Sequence, residues 1–156
     1  MTTTVAVADG IFTVDPTVDL NVDKGRPRLL GSRCTVCGNH MFPRQSGCPK
    51  CMSNEQEDVE LATHGTLWTW TVQAFPPKAP PYLGPVGDDF VPYGVGYVEL
   101  PGQLRVEARL TESDPEKLVI GMPMHLVLHP LCIDADGNQV VTYAFAPTPP
   151  SQGEPK

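Results

Sequence analysis

Two pairs of cysteines set the strongest limit on how this chain can fold. Cys34-Thr35-Val36-Cys37 is followed by Gly38, and Cys48-Pro49-Lys50-Cys51 lies beyond a ten-residue spacer. A CxxC turn aims two thiolates at one point. Two such knuckles supply four sulfurs in a tetrahedron, the arrangement zinc prefers. The spacer is shorter than the usual ribbon spacing but long enough for a small hairpin. A structural zinc held by Cys34, Cys37, Cys48 and Cys51 is the expectation. Iron in a four-thiolate site uses the same geometry, and CxxCG with CPxC is also a rubredoxin-like spelling, so the spacing alone leaves the metal open. Neither pair sits at a helix start, as thioredoxin-like redox chemistry requires. Four thiolates leave no open coordination position, so such an ion folds a segment too small to have its own core and does not catalyse.

The rest of the chain reads as β-structure. Eighteen Pro and 14 Gly, about a fifth of the 156 residues, favour turns and short strands over long helices. Gly65–Phe75 alternates apolar residues with Thr and is expected to place Trp68, Trp70 and Val72 on one face. In 91–100, Gly94 and Gly96 mark a bulge or a close backbone approach. Residues 103–110 alternate most cleanly, with Leu104, Val106, Ala108 and Leu110 inward. Residues 122–129 and 139–146 follow, joined by a hairpin turn at Asp136-Gly137-Asn138. Asp114-Pro115 opens a short expected helix that Gly121 ends. Five strands with one helix after the third match a small Greek-key barrel of the OB type; sandwiches of similar strand count fit the same pattern. The expected organisation is an extended arm over 1–27, a zinc ribbon over 28–57, a barrel over 58–147 and a disordered tail over 148–156.

Charge and motifs narrow the function. A formal net charge of −7 lacks the basic footprint of a general nucleic-acid grip and disfavours an anionic membrane surface. No run approaches the length of a spanning helix. Met1–Gly10 has no Lys or Arg and does not read as a secretory signal. Paired CxxC motifs with one cysteine left over, Cys132, fit a cytoplasmic protein better than a disulfide framework. Cys132 reads as a buried, inert thiol. His64 shows no partner. His125 and His129 lie about 13 Å apart along a strand, too far to share a metal. Asp88-Asp89 and Asp134/Asp136 sit beside Gly and read as turn chemistry. No phosphate-cradling loop, GxSxG or HExxH occurs, so no catalytic residue is assigned.

Several motifs in order resemble one acyl-CoA-associated family. They are Gly31-Ser32-Arg33-Cys34 with Cys37-Gly38, Phe42-Pro43, Cys48-Pro49 with Cys51, Gly65-Thr66-Leu67-Trp68-Thr69-Trp70-Thr71, Pro92-Tyr93-Gly94-Val95-Gly96-Tyr97-Val98-Glu99-Leu100 and Ile120-Gly121-Met122. The family, catalogued as domain-of-unknown-function family thirty-five, joins a rubredoxin-like zinc ribbon to an OB-fold. The resemblance covers about residues 28 to 146. It implies a non-catalytic accessory subunit of a thiolase-like enzyme, whether thiolase or retro-aldolase, or of an acyl-CoA hydratase. Steroid side-chain degradation is one such setting. The complex would bind the acyl-CoA, with this chain helping to shape its site. The alternative is a nucleic-acid-binding module, since OB-folds and zinc ribbons both serve that end; a rubredoxin-like electron carrier is a third reading.

Where a partner would dock follows from stiffness and exposure. The proline-rich loop from Phe75 to Tyr93 places Tyr82 on a rigid support, and the small ribbon leaves Phe42 little interior to fill. Phe42, Phe75, Tyr82 and Tyr93 are therefore the expected partner-binding residues. A thiolase-superfamily partner is expected as a dimer, which gives a two-plus-two heterotetramer.

Overall fold

The computed structural model describes residues 4–13 and 27–149. Among the described residues the regular structure is almost wholly strand: β1 Thr4–Ala6, β2 Leu30–Cys34, β3 His40–Met41, β4 Gln56–Glu60, β5 His64–Gln73, β6 Tyr93–Glu99, β7 Arg105–Leu110, β8 Pro123–Ile133 and β9 Gln139–Pro147. Among the described residues the one helical element is a 3-10 turn at Gly87–Asp89. The tail residues 150–156 and arm residues 1–3 and 14–26 lie outside the described set.

Strands β5 to β9 close into a barrel. The order runs β5-β6-β7-β9-β8 and returns to β5 through the β5–β8 pairing. All neighbours are antiparallel except β7 and β9, which run parallel. That parallel pair in a five-strand Greek key is the OB arrangement. The core comes from inward positions of successive strands: Leu67, Val98, Val106, Leu110, Met124 and Phe145, each at most 2% exposed. The clean alternation of β7 holds, with Val106, Ala108 and Leu110 buried. Gly94 and Gly96 do mark close approach. A Cβ on Gly94 would collide with the Glu112 carbonyl, and one on Gly96 would lie 2.7 Å from the Thr69 carbonyl.

Three local expectations need correction. A β-bulge between Leu67 and Thr69 inserts Trp68 as an extra residue. It shifts the alternation by one, so Trp68 is 45% exposed while Trp70 packs against the core. The two tryptophans thus do not share a face. The expected helix at Asp114 is a single turn. The Asp114 carboxylate accepts from the Glu116 N–H at 2.9 Å and its carbonyl from the Lys117 N–H at 2.9 Å. Too few residues remain before Gly121 for propagation to offset nucleation. Cys132 is half-buried rather than buried.

The ribbon is a three-stranded sheet in the order β3-β2-β4, and its base is built into the barrel's core. Leu29 and Leu61 are essentially buried, and they cluster with Leu67, Val98 and Phe145. Gln103, between β6 and β7, clamps the junction: its Oε1 accepts from the Ala62 N–H at 2.8 Å and its Nε2 donates to the Glu60 carbonyl at 3.3 Å. The described part of the arm is packed. Ile11 and Phe12 join the same core, and β1 adds in parallel to β9.

Candidate functional site

The four knuckle cysteines converge as their spacing predicts. All four Sγ atoms lie within 4.8 Å of one another. Cys34–Cys51 and Cys37–Cys48 are each separated by 3.6 Å. A tetrahedral ion with bonds of about 2.3 Å sets its sulfurs about 3.8 Å apart. The two knuckles are built alike. The Cys34 N–H donates to the Asn39 carbonyl and the Gly38 N–H to the Cys34 carbonyl; the Cys48 N–H donates to Ser53 and the Met52 N–H to Cys48, all at 2.8 Å. Each turn needs a left-handed residue four positions after its first cysteine. Gly38 supplies it at φ 81° and Met52 at φ 66°, a conformation strained for a residue with a Cβ.

The thiols are electrostatically uneven. The backbone N–H of Cys37 heads the interactions that lower Cys34 to about 6, outweighing its burial. Burial raises Cys48, but the N–H groups of Cys51 and Lys50 and the neighbouring thiols bring it below its ordinary value. The Ser53 N–H favours the Cys51 thiolate, yet burial and the other three sulfurs push it up to about 12. The turns therefore stabilise two thiolates, and sulfur–sulfur repulsion resists more. A soft divalent cation relieves that repulsion, so this donor set fits zinc. Cys34 and Cys48 are buried with Met41 in a small cluster of their own, while Cys37 and Cys51 are exposed. With all four positions taken, the centre has no place for a substrate.

The other marked feature is a groove of about 510 Å³ beside β7. Phe42 and Pro43 of the ribbon line it together with Tyr82, Tyr93, Arg109 and Tyr143. Three of the four expected partner-binding residues are thus brought together. Phe42 is half-buried, its ring meeting Tyr143 edge-on at 5.4 Å. Tyr93 lies beneath the Arg109 guanidinium, 3.9 Å from the ring centroid. Phe75 stands apart from this lining and is 77% exposed. The sequence reading missed Arg109 and Tyr143, which strand alternation marks only as surface positions. It also missed the second aromatic cluster, Trp68 with Arg105 at 4.0 Å over its ring and Tyr97 edge-on at 6.1 Å. His64, unpartnered in the sequence reading, faces His125 across β5 and β8 with rings 6.1 Å apart.

Comparisons with known proteins agree with this architecture. The family model described as "ChsH2, rubredoxin-like zinc ribbon domain" matches residues 23–55, and "ChsH2, C-terminal OB-fold domain" matches residues 58–129. A "DUF35 domain-containing scaffold protein" of Methanocaldococcus jannaschii is 32% identical over 126 residues, covering 78% of this chain and 82% of its own. The "Benzoylsuccinyl-CoA thiolase subunit BbsA" of Thauera aromatica is 32% identical over 123 residues, covering 79% of this chain and 78% of its own. Among solved structures, the "Ltp2-ChsH2(DUF35) aldolase" superposes with a TM-score of 0.56 at 30% identity, over 77% of this chain and 84% of that one.

Proposed function

The chain belongs to the ChsH2-type family of zinc-ribbon and OB-fold scaffold proteins, also described as DUF35 proteins, and from that premise we propose that it is a non-catalytic accessory subunit of an acyl-CoA-processing complex. Its partner is a thiolase-like enzyme, a thiolase or a retro-aldolase. The observation that carries this reading is the likeness to a thiolase subunit and to an aldolase assembly over more than three quarters of the chain. Steroid side-chain degradation remains one setting for the reaction.

Each part of the site has a task in this reading. The closed four-thiolate centre rigidifies the ribbon. Phe42, Phe75, Tyr82 and Tyr93 meet the partner, and the groove they border in part lies beside the bound acyl-CoA. The four thiols stay reduced in the cytoplasm. No helix among the described residues is long and apolar enough to cross a membrane. The nucleic-acid alternative is not favoured, because the matched relatives are scaffolds and enzyme subunits.

Co-expression with the thiolase-superfamily subunit of the same organism tests this. A stable complex whose acyl-CoA turnover falls when this chain is omitted is the expected result. Phe42→Ala and Tyr82→Ala, checked first for zinc content and folding, should weaken the complex. If both variants fold, hold zinc and copurify with full activity, the docking face lies elsewhere.

A further inference from the structure

The barrel is split along one seam. β7 pairs with β6 over its whole length, but with β9 only at Arg109 and Leu110. Beyond that point the two strands diverge. The edge of β9 is covered by this chain's own β1, through Thr4–Ala6 against Gln139–Val141. Among the described residues no such strand covers the edge of β7. Alternate residues of a strand send their N–H and C=O to opposite sides. The Thr111 N–H donates to the Phe145 carbonyl at 3.0 Å, and the Glu107 carbonyl accepts from the Tyr143 hydroxyl at 3.1 Å. Arg105 and Glu107 share that phase, so their N–H groups face the groove, beyond where the β9 pairing stops. The open stretch, Arg105–Ala108, spans about 10 Å.

Charge says what kind of strand fits. Arg105 pairs with Glu99 at 3.4 Å. Among the described residues no carboxylate pairs with Arg109, whose guanidinium is stacked on Tyr93. His129 stands close to this cation: burial first, and then the Arg109 charge, lowers its pKa. An unpaired arginine in a chain of net charge −7 is a local invitation to an anion. Arg presents a planar fork that matches a carboxylate. A small anion would satisfy Arg109 but leave the Arg105 and Glu107 N–H groups unpaired. An extended acidic segment satisfies both, by the strand addition that β1 already makes on the other lip of the seam.

We propose that the seam between β7 and β9 receives one extended, acidic segment of the partner subunit, which pairs with β7 at Arg105 and Glu107 and sets a carboxylate on Arg109. This rests on the reading of the chain as an accessory subunit.

The test is amide hydrogen exchange of the free chain and of its complex with the co-expressed thiolase-superfamily subunit. The Arg105 and Glu107 amides should slow at least tenfold in the complex, while Val106 and Ala108, which face β6, change little. Arg109→Glu should weaken association by roughly tenfold or more, and Arg109→Lys by less. Glu107→Pro removes a groove-facing N–H without touching the β6 ladder and should weaken association too. A complex that forms with unchanged exchange at both amides overturns the inserted strand and leaves the accessory role standing. Failure to form any complex with that subunit overturns both. Equal slowing of these amides by coenzyme A alone makes the groove a small-ligand site and also overturns the proposal.

Discussion

Single residues carry the knuckle geometry. Met52 holds the left-handed position that Gly38 holds in the sister turn, and its side chain is 81% exposed. An L-residue there is strained, whereas glycine is not, though glycine adds freedom to the unfolded chain. Met52→Gly is expected to raise stability by about 0.5–1 kcal/mol at constant zinc, read as a higher urea midpoint. At the β8–β9 hairpin, Asp134 Oδ1 accepts from the N–H groups of Asp136 and Asn138 at 2.9 and 2.8 Å. The Asn138 N–H leads the interactions that lower the Asp134 pKa. A depressed carboxyl pKa contributes stability that is fully present above the unfolded value, about 3.9, and is lost as pH falls through the folded one. Hairpin amides should therefore open faster below pH 4 in the parent, and Asp134→Ala should show the open behaviour already at neutral pH. Asp134 and Asp136 were legible as turn residues, because an Asx turn is a local structure. The strain at Met52 was not, since it appears only when the two knuckles are superposed.

The ribbon shows what an element this small needs. Its outer end has a core of only Cys34, Met41 and Cys48, while its base shares Leu29 and Leu61 with the barrel. Metal removal by a chelator, or Cys48→Ser, should release amide protection over residues 34–54 and leave β5–β9 protected. Protection lost evenly throughout would show that the metal holds the barrel as well. Element types were readable where the signal was local: the alternation of β7 and the turn before β9 gave correct strands. The bulge at Trp68 was not readable, because it is set by β5's register against β6 and not by the residues of β5 alone. The single turn at Asp114 kept its capping residue but lacked the length for a helix.

At the scale of the whole molecule, the described chain offers a four-cysteine centre and a groove lined by Phe42, Tyr82 and Tyr93, and the proposed accessory role leaves the chemistry to the partner. The purified chain alone should show no acyl-CoA turnover. With its partner, light scattering should give the mass of two chains of each kind, as expected when one accessory subunit sits on each half of a twofold dimer. A one-to-one mass would exclude that assembly. The convergence of the four cysteines, the strand succession and the family were legible in the sequence, because CxxC spacing, period-two alternation and ordered motifs are written in neighbouring residues. It took the folded chain to show that the arm's Ile11 and Phe12 join the core, that Phe42 reaches Tyr143, and that among the described residues Arg109 has no carboxylate partner beside an open strand edge. Those relations join residues tens of positions apart. They depend on how the barrel closes, which no local pattern encodes.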